Sequence, residues 1–167
     1  VAYLQGKQSK IQAGEFELSP SMPPLQLLNR ITSGQAVLHS ITIPEGYRIE
    51  EIASTLEAKK IADPRKFIAE TLNKNLIASM SIPGNTLEGY LFPDTYYFSK
   101  GVDEKTIVKT MLENFIKKTH KPEYIKRAKE KGMSFHEIII LASIIEKETG
   151  QSRERELISA VFHNRIK

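Results

Sequence analysis

The sequence contains no cysteine, which excludes disulfide scaffolds, thiolate zinc sites, iron–sulfur clusters and cysteine nucleophiles. It has no run of about 18 apolar residues, so no segment of it predicts a membrane-spanning helix. Both common glycine-rich phosphate loops, the Gly-x-Ser-x-Gly elbow and an acidic calcium loop are also missing from it. These absences exclude thiol chemistry and leave no sequence support for the commonest nucleotide-binding, serine-hydrolase and calcium-binding classes.

The length and composition are those of a protein with a real core. At roughly 100–200 residues per domain, the 167 residues predict one domain or two small ones. Apolar residues make up 40% and charged residues 26%, which is typical of a globular domain. The formal net charge of +4 is too small for a nucleic-acid-binding surface, so we predict no nucleic-acid partner.

The positive charge is concentrated in residues 117–131, which we call the basic stretch. It holds seven Lys or Arg residues and two Glu residues. One interpretation is a solvated helix face. The other is a surface that approaches lipid phosphates or an anionic wall polymer.

Both ends of the chain predict a piece of a longer protein. The chain begins at Val1 without a methionine or a signal-peptide pattern. Apolar residues at helical spacing, from Leu157 to Ile166, are still recurring when the chain stops at Lys167.

The first half predicts a short helix, a strand and two further helices. Prolines lead into a helix over 25–31, which Ser33-Gly34 would end, and alternation over 37–43 predicts a half-buried strand. Apolar residues at helical spacing follow over 49–56, and Asp63-Pro64 is typical of the start of another helix. We place a domain boundary near Pro83, dividing the chain into 1–83 and 84–167.

The second half is predicted to be mostly helical, which gives an α+β protein. Glycine and proline make 81–95 an irregular segment over a core, and Asp103 is a candidate cap for an amphipathic helix. Ser134 and Glu137 form a capping box for a helix that is apolar almost all round, with Gly150 as its C-cap. A helix of that composition is expected to be buried.

Two acidic residues, Glu146 and Glu148, lie at the C-terminal end of that apolar helix. A carboxylate in apolar surroundings needs a charged or hydrogen-bonding partner, or access to an open cleft. Glu146 shares a helical face with the small residues Ala142 and Ser143, so a ligand could lie beside it. Apolar surroundings raise a carboxyl pKa toward that of a general acid. The alternative is an ion pair between Glu146 and Lys147, Arg153 or Arg155 at a helix junction.

Residues 87–97 combine two acids, Glu88 and Asp94, with several aromatic residues around glycine and proline. Aromatic rings beside hydrogen-bonding acids suit a sugar-binding cleft. The alternative is a loop whose rings enter the core and whose acids pair locally. His136-Glu137 begins like a zincin motif, but the position four after His136 is Ile140, so we predict no metal site.

Three motifs together resemble the endolytic murein transglycosylase family, also called YceG-like. The motifs are Thr42-Ile43-Pro44-Glu45-Gly46-Tyr47 with Ile52-Ala53, then residues 87–96 (LEGYLFPDTY), and residues 141–149 (LASIIEKET) with Glu154-Arg155 and 161–165 (VFHNR). The resemblance extends over nearly the whole chain. It implies a small LysM-like strand–helix–helix subdomain over 1–83 and a mostly helical, incomplete catalytic domain of lytic-transglycosylase type over 84–167.

The resemblance implies a membrane-anchored enzyme of the extracytoplasmic side. Such an enzyme cleaves the bond between MurNAc and GlcNAc inside glycan strands and leaves a 1,6-anhydroMurNAc end. Its partners would be peptidoglycan glycan strands and peptidoglycan synthases, and its anchor a single N-terminal helix in the inner or plasma membrane that this chain lacks. No metal or organic cofactor is implied.

Carried over to this sequence, the family's catalytic glutamate is Glu146. The residues expected to contact substrate are Glu88, Tyr90, Asp94, Tyr96, Ser143, Glu148 and Asn164. A single acid is enough because the C6 hydroxyl of the substrate is the nucleophile, whereas hydrolytic glycosidases use two carboxylates. The next motif of the family, a Gln-Asp-Pro-Thr type stretch, does not occur before Lys167, so we expect an open cleft and reduced or no activity in this chain.

Two other classes remain to be weighed. In one, the chain only binds glycan and acts as a scaffold for wall synthases. In the other, suggested by the label aminodeoxychorismate lyase, it uses pyridoxal phosphate, but the sequence shows neither a glycine-rich phosphate cradle nor a lysine among apolar neighbours with a pyridinium partner.

Overall fold

The computed structural model describes residues 14–32, 36–149 and 152–166. The predicted stop at Ser33-Gly34 and the predicted C-cap at Gly150 lie outside these ranges. Within them the chain forms eight α-helices, two short strands and one 3-10 turn (Ser152–Glu154) before the last helix: α1 (Pro24–Thr32), β1 (His39–Thr42), α2 (Ile49–Ala58), α3 (Pro64–Thr71), α4 (Lys74–Ser79), β2 (Thr95–Phe98), α5 (Glu104–Thr119), α6 (Pro122–Glu130), α7 (Phe135–Glu148) and α8 (Arg155–Ile166). No helix in the described ranges is long and apolar enough to cross a membrane. The predicted α+β class is confirmed.

The predicted start of α3 is confirmed in detail. Asp63 is the N-cap, and its Oδ1 accepts hydrogen bonds from the backbone N–H groups of Arg65 at 2.8 Å and Lys66 at 3.3 Å. Pro64 fills the first helical position, where a missing N–H costs nothing. The helix therefore begins where side-chain chemistry satisfies its unpaired donors.

The sheet contains a strand that the sequence analysis did not predict. β1 pairs with β2 in antiparallel fashion, with Ile41 opposite Tyr96 and His39 opposite Phe98. In β2, Tyr96 and Phe98 are buried while Thr95 and Tyr97 are exposed. This alternation is typical of a half-buried strand. The sequence predicts only an irregular segment over 81–95 and a sugar-binding cleft or a loop over 87–97.

One apolar core joins the sheet to α2, α3 and α5. The irregular segment 81–95 packs onto this core through Leu87, which is fully buried, and through Tyr90 and Leu91. The core thus includes residues on both sides of Pro83. The predicted amphipathic α5 is confirmed, although its N-cap residue Asp103 makes no side-chain capping bond.

The capping box of α7 is confirmed, but the prediction that this helix is buried is wrong. Leu141 is its one buried side chain among the described residues, while Ile140 is 46% and Ile144 39% exposed. The physical reason is that α6, α8, the loops at Gly46 and Gly89, and Phe115 of α5 contact α7 and still leave part of its circumference open.

The basic stretch runs from the end of α5 through α6. Its charged side chains lie at the surface, and Ala128 is the buried residue of α6. Lys126 and Glu130 form an exposed ion pair at 3.9 Å. The placement agrees with a solvated helix face, and contact with an anionic surface stays a prediction.

Candidate active site

A cleft of about 1020 Å³ lies between two loops and one face of α7. One loop follows β1 and leads into α2. The other is the segment 88–93, and the facing side of α7 runs from His136 to Glu146. Each wall contacts the common core, through Ile43 of the first loop, Leu91 of the second and Ile139 of α7.

Glu146 is held at one end of this cleft by an arginine from α8. Arg155 Nη2 lies 3.0 Å from Glu146 Oε1 and 2.9 Å from Oε2. The same Nη2 donates to Glu45 Oε2 at 2.9 Å. One guanidinium therefore joins α7, α8 and the loop after β1.

The two carboxylates affect the pKa of Arg155. The hydrogen bond to Glu45, followed by the charge of Glu146, raises the pKa of Arg155 above its ordinary value. Arg155 is thus a permanent cation in the cleft. The side chain of Glu146 is 28% exposed, so its carboxylate stays accessible from the cleft.

Two glycines allow the loops to approach α7 closely. Gly46 has φ +77°, and a side-chain carbon added there would lie 3.6 Å from Glu146 Cγ. Gly89 has φ +82°, and an added carbon would meet Ile139 Cγ2 at 3.3 Å. Both positions use the left-handed conformation that glycine adopts readily, and both bring backbone against the helix that carries Glu146.

The opposite end of the cleft is aromatic. The hydroxyl of Tyr90 lies 2.6 Å from His136 Nδ1, and the two rings are nearly parallel with centroids 6.0 Å apart. Tyr90 also packs against Phe115 at 5.2 Å. Burial raises the pKa of Tyr90, so its hydroxyl keeps its proton.

The structure brings five of the predicted site residues to this cleft. They are Glu88, Tyr90, Ser143, Glu146 and Glu148. Glu88 also has a local role, since its Oε2 accepts the backbone N–H of Ile49 at 3.2 Å at the start of α2. Ser143 donates to the Ile139 carbonyl at 2.9 Å, so its hydroxyl proton is already used within the helix.

Asn164 lies in a neighbouring groove of about 720 Å³ between α7 and α8. Glu146 and Arg155 line this groove as well as the cleft. The carboxylate of Glu146 is therefore placed where two openings meet.

Asp94 and Tyr96 do not line the cleft. Tyr96 donates to the Phe92 carbonyl at 2.6 Å, while Asn114 Nδ2 donates to Asp94 at 3.0 Å and to the Tyr96 hydroxyl at 3.1 Å. The bond from Asn114, then that from the Thr95 backbone, lowers the pKa of Asp94. Burial raises the pKa of Tyr96. The observed contacts of these two residues fix the end of the 88–93 loop.

Glu45 and His136 were not predicted as site residues, and Arg155 was considered only as an ion-pair partner. Glu45 stands in a Pro-Glu-Gly turn, a position that can carry a side chain to a site but says nothing of its partner. His136 had been weighed only as a metal ligand. Among the described residues no group of three His, Asp or Glu side chains is placed to hold a metal ion.

Comparison with known proteins identifies the family of this chain. A YceG-like family model matches residues 1–167, which is the whole chain. The chain belongs to the YceG-like family.

The curated relatives are proteins named endolytic murein transglycosylase. That of Streptococcus pneumoniae D39 is 29% identical over 93% of this chain and 33% of the relative. That of Bacillus subtilis 168 is 28% identical over 95% of this chain and 48% of the relative. The chain thus spans half or less of the length of these relatives.

A solved structure also resembles this fold. The crystal structure of a YceG-like protein from Listeria monocytogenes matches with a TM-score of 0.66 and 28% identity. The match covers 98% of this chain and 59% of the Listeria chain.

Proposed function

We propose that this chain is part of a peptidoglycan lytic transglycosylase that cleaves glycan strands internally between MurNAc and GlcNAc. The observation that carries the proposal is the position of Glu146, an accessible carboxylate where the cleft and the α7–α8 groove meet. The names of the curated relatives support murein as the substrate.

In the proposed reaction Glu146 works first as an acid and then as a base. The protonated carboxyl gives its proton to the glycosidic oxygen as the bond between that oxygen and C1 breaks. The C6 hydroxyl oxygen of the same MurNAc forms a bond to C1, and its proton passes to the Glu146 carboxylate. No water is consumed, the carboxylic acid is restored, and the new end is 1,6-anhydroMurNAc.

Glu45 gives Arg155 a second partner during this cycle. When Glu146 carries the proton, the guanidinium keeps its 2.9 Å contact to Glu45. When Glu146 is a carboxylate, Arg155 neutralises part of its charge at 2.9 Å. We propose that Arg155 is a positioning residue that holds Glu146 toward the cleft in both states.

The other predicted site residues have either a direct or an indirect role in the proposed binding of the glycan strand. Glu88, Tyr90, Ser143 and Glu148 would contact the strand in the cleft, and Asn164 would contact it in the α7–α8 groove. Asp94 and Tyr96 would act on substrate through the loop that they fix.

We further propose the domain division and location that the resemblance implies. Residues 1–83 would be a LysM-like unit and 84–167 the catalytic part. The strand–helix–helix order of β1, α2 and α3 supports the LysM-like unit. In contrast, β1 pairs with β2, which lies beyond residue 83, and one core contains residues from both sides of that boundary, so the two parts pack as one body. The protein would face the cell wall, held by an N-terminal membrane helix, near peptidoglycan synthases.

The ends of the reaction products test the proposal. Peptide-free glycan strands are incubated with the full-length protein, and the fragments are analysed by mass spectrometry. Internal fragments ending in 1,6-anhydroMurNAc are the expected result. Reducing MurNAc ends would mean hydrolysis and contradict it, and strands that are bound but never cut would favour the glycan-binding scaffold.

A further inference from the structure

The aromatic end of the cleft presents a hydrogen-bond donor. Its residues are Tyr90, Phe115, Thr119, His136 and Ile139. The Tyr90 hydroxyl lies 2.6 Å from His136 Nδ1, and no other described group is placed to accept its proton, so we assign Tyr90 as the donor in this pair. A neutral imidazole that accepts at Nδ1 carries its proton on Nε2, and no described residue accepts a hydrogen bond from His136 Nε2.

The same end presents a hydrogen-bond acceptor. The hydroxyl of Thr119 donates to the Phe115 carbonyl at 2.7 Å and lies 3.3 Å from His120 Nδ1. A hydroxyl oxygen has two acceptor lone pairs, so one is left to accept from a ligand even when His120 donates to the other. The aromatic ring of Phe115 and the aliphatic side chain of Ile139 also line the cleft and provide apolar surface. The aromatic end therefore offers one donor, one acceptor and an apolar contact together.

This end is well separated from Glu146. His136 and Glu146 both line the cleft and lie ten residues apart on α7, which corresponds to about 15 Å along the helix axis. That distance is longer than a single sugar ring. A ligand that spans the cleft would thus be a chain of sugars whose reacting bond lies at Glu146.

We propose that the aromatic end is a binding site for the acetamido group of an N-acetylated sugar remote from the cleaved bond. The acetamido carbonyl accepts from His136 Nε2, its N–H donates to Thr119 Oγ1, and its methyl packs on Phe115 and Ile139. Tyr90 is the positioning residue that fixes the imidazole tautomer. The inference rests on the proposed function, and it makes His136 a specificity-determining residue.

The test measures whether His136 recognises the acetyl group of an N-acetylated sugar in the glycan strand. Calorimetry compares peptide-free glycan strands with the same strands after chemical de-N-acetylation, using the full-length protein with Glu146→Gln so that nothing is cut. Adding His136→Phe is expected to weaken binding of acetylated strands by about five- to tenfold, the effect of one lost hydrogen bond. The preference for acetylated over de-N-acetylated strands should shrink by the same factor.

Two further variants keep the test decisive. Tyr90→Phe retains the ring packing and should reduce the preference by a smaller factor, because the imidazole loses its fixed tautomer. His39→Phe removes a histidine on β1 that lies outside the cleft, and should leave the preference unchanged. Circular dichroism checks the folding of each variant.

The outcomes separate the two claims. A preference that His136→Phe and Tyr90→Phe leave unchanged contradicts the acetamido site but not the proposed function. Failure of the Glu146→Gln protein to bind any glycan strand contradicts the proposed function, and with it this inference. A loss of preference in His39→Phe equal to that in His136→Phe would also contradict the acetamido site.

Discussion

Arg155 is the residue on which the geometry of the candidate site converges. It contacts Glu45 from the loop after β1 and Glu146 from α7, each at 2.9 Å, while its own backbone begins α8. A planar guanidinium with several donors can serve two carboxylates at once, which a lysine ammonium does less well. Its removal would leave two acids facing each other without their cation.

Replacing this arginine should therefore lower turnover more than substrate binding. For Arg155→Gln in the full-length protein we expect kcat to fall by about ten- to a hundredfold, because Glu146 loses its fixed orientation. KM should change little. Steady-state kinetics on glycan strands measures both constants.

Arg153→Gln is the matched control, since Arg153 is an exposed neighbour that does not line the cleft. Equal losses of kcat in Arg155→Gln and Arg153→Gln would contradict the positioning role of Arg155, because they would show that the net charge near the site is enough to explain the effect.

Gly89 is a second residue whose chemistry shapes the cleft. In Gly89→Ala the new methyl group would stand in a left-handed conformation and 3.3 Å from Ile139 Cγ2. The conformation alone costs about 1–2 kcal/mol. We expect a larger loss in free energy of unfolding than this, measured by urea denaturation, because the loop must also move away from α7.

Gly132→Ala isolates the conformational part of that loss. Gly132 has φ +68° and nothing within 4 Å of an added carbon. If the two variants lose the same stability, contact between the 88–93 loop and α7 is not tight enough to matter.

At the scale of the elements, α7 depends on its N-terminal capping box. Ser134 Oγ accepts the backbone N–H of Glu137 at 3.2 Å, and Glu137 Oε2 accepts the backbone N–H of Ser134 at 2.7 Å. For Ser134→Ala we expect a loss of about 1 kcal/mol in free energy of unfolding at pH 7. Urea denaturation measures it, and an unchanged value would contradict a role for the cap.

The glutamate of the box adds a pH dependence of known sign. The bonds from the backbone and then the hydroxyl of Ser134 lower the pKa of Glu137 below its ordinary 4.5 in the folded protein. Its stabilisation is complete above the ordinary pKa and is lost as the pH falls through the lowered value. The stability difference between wild type and Glu137→Gln should therefore be largest near neutral pH and shrink in acid.

Glu130→Gln serves as the control for this pH series, since Glu130 is exposed and its pair with Lys126 is long at 3.9 Å. It should show no comparable trend. A difference for Glu137→Gln that stays constant with pH would contradict the argument.

Elements with a chemical start signal were predictable from the sequence. Asp63 with Pro64, and Ser134 with Glu137, identified the beginnings of α3 and α7 because capping depends on local residues. The short α4 was missed, since its signal reduces to Asn73, whose Oδ1 accepts from Asn75 and Leu76. β2 was not predicted, because its alternating residues overlap the segment 87–97, which was interpreted from its acidic and aromatic residues.

At the scale of the whole molecule, the composition of a helix did not decide its burial. The sequence predicts that α7 is buried because it is apolar on most sides, yet Ile140 is 46% and Ile144 39% exposed. On α8, Leu157 is 70% exposed. Burial depends on which elements meet a helix, and that is a property of the tertiary arrangement.

The candidate site was predictable to a similar degree. Helical spacing predicted that Glu146 shares a face of α7 with Ala142 and Ser143. In the structure all three residues line the cleft. The link from Glu45 to Arg155 joins residues 110 positions apart, so no local pattern could reveal it. The pairing of Tyr90 with His136 across 46 positions is of the same kind.

The measurement that tests the central claim most directly compares two neighbouring acids of one cleft. Glu146→Gln and Glu148→Gln are made in the full-length protein, and release of fragments ending in 1,6-anhydroMurNAc is followed by mass spectrometry. Glu146→Gln should abolish the products while still binding strands. Glu148→Gln should still release fragments ending in 1,6-anhydroMurNAc, with a loss confined to strand binding, since Glu148 lines the cleft as a contact residue. Undiminished turnover in Glu146→Gln would contradict the account.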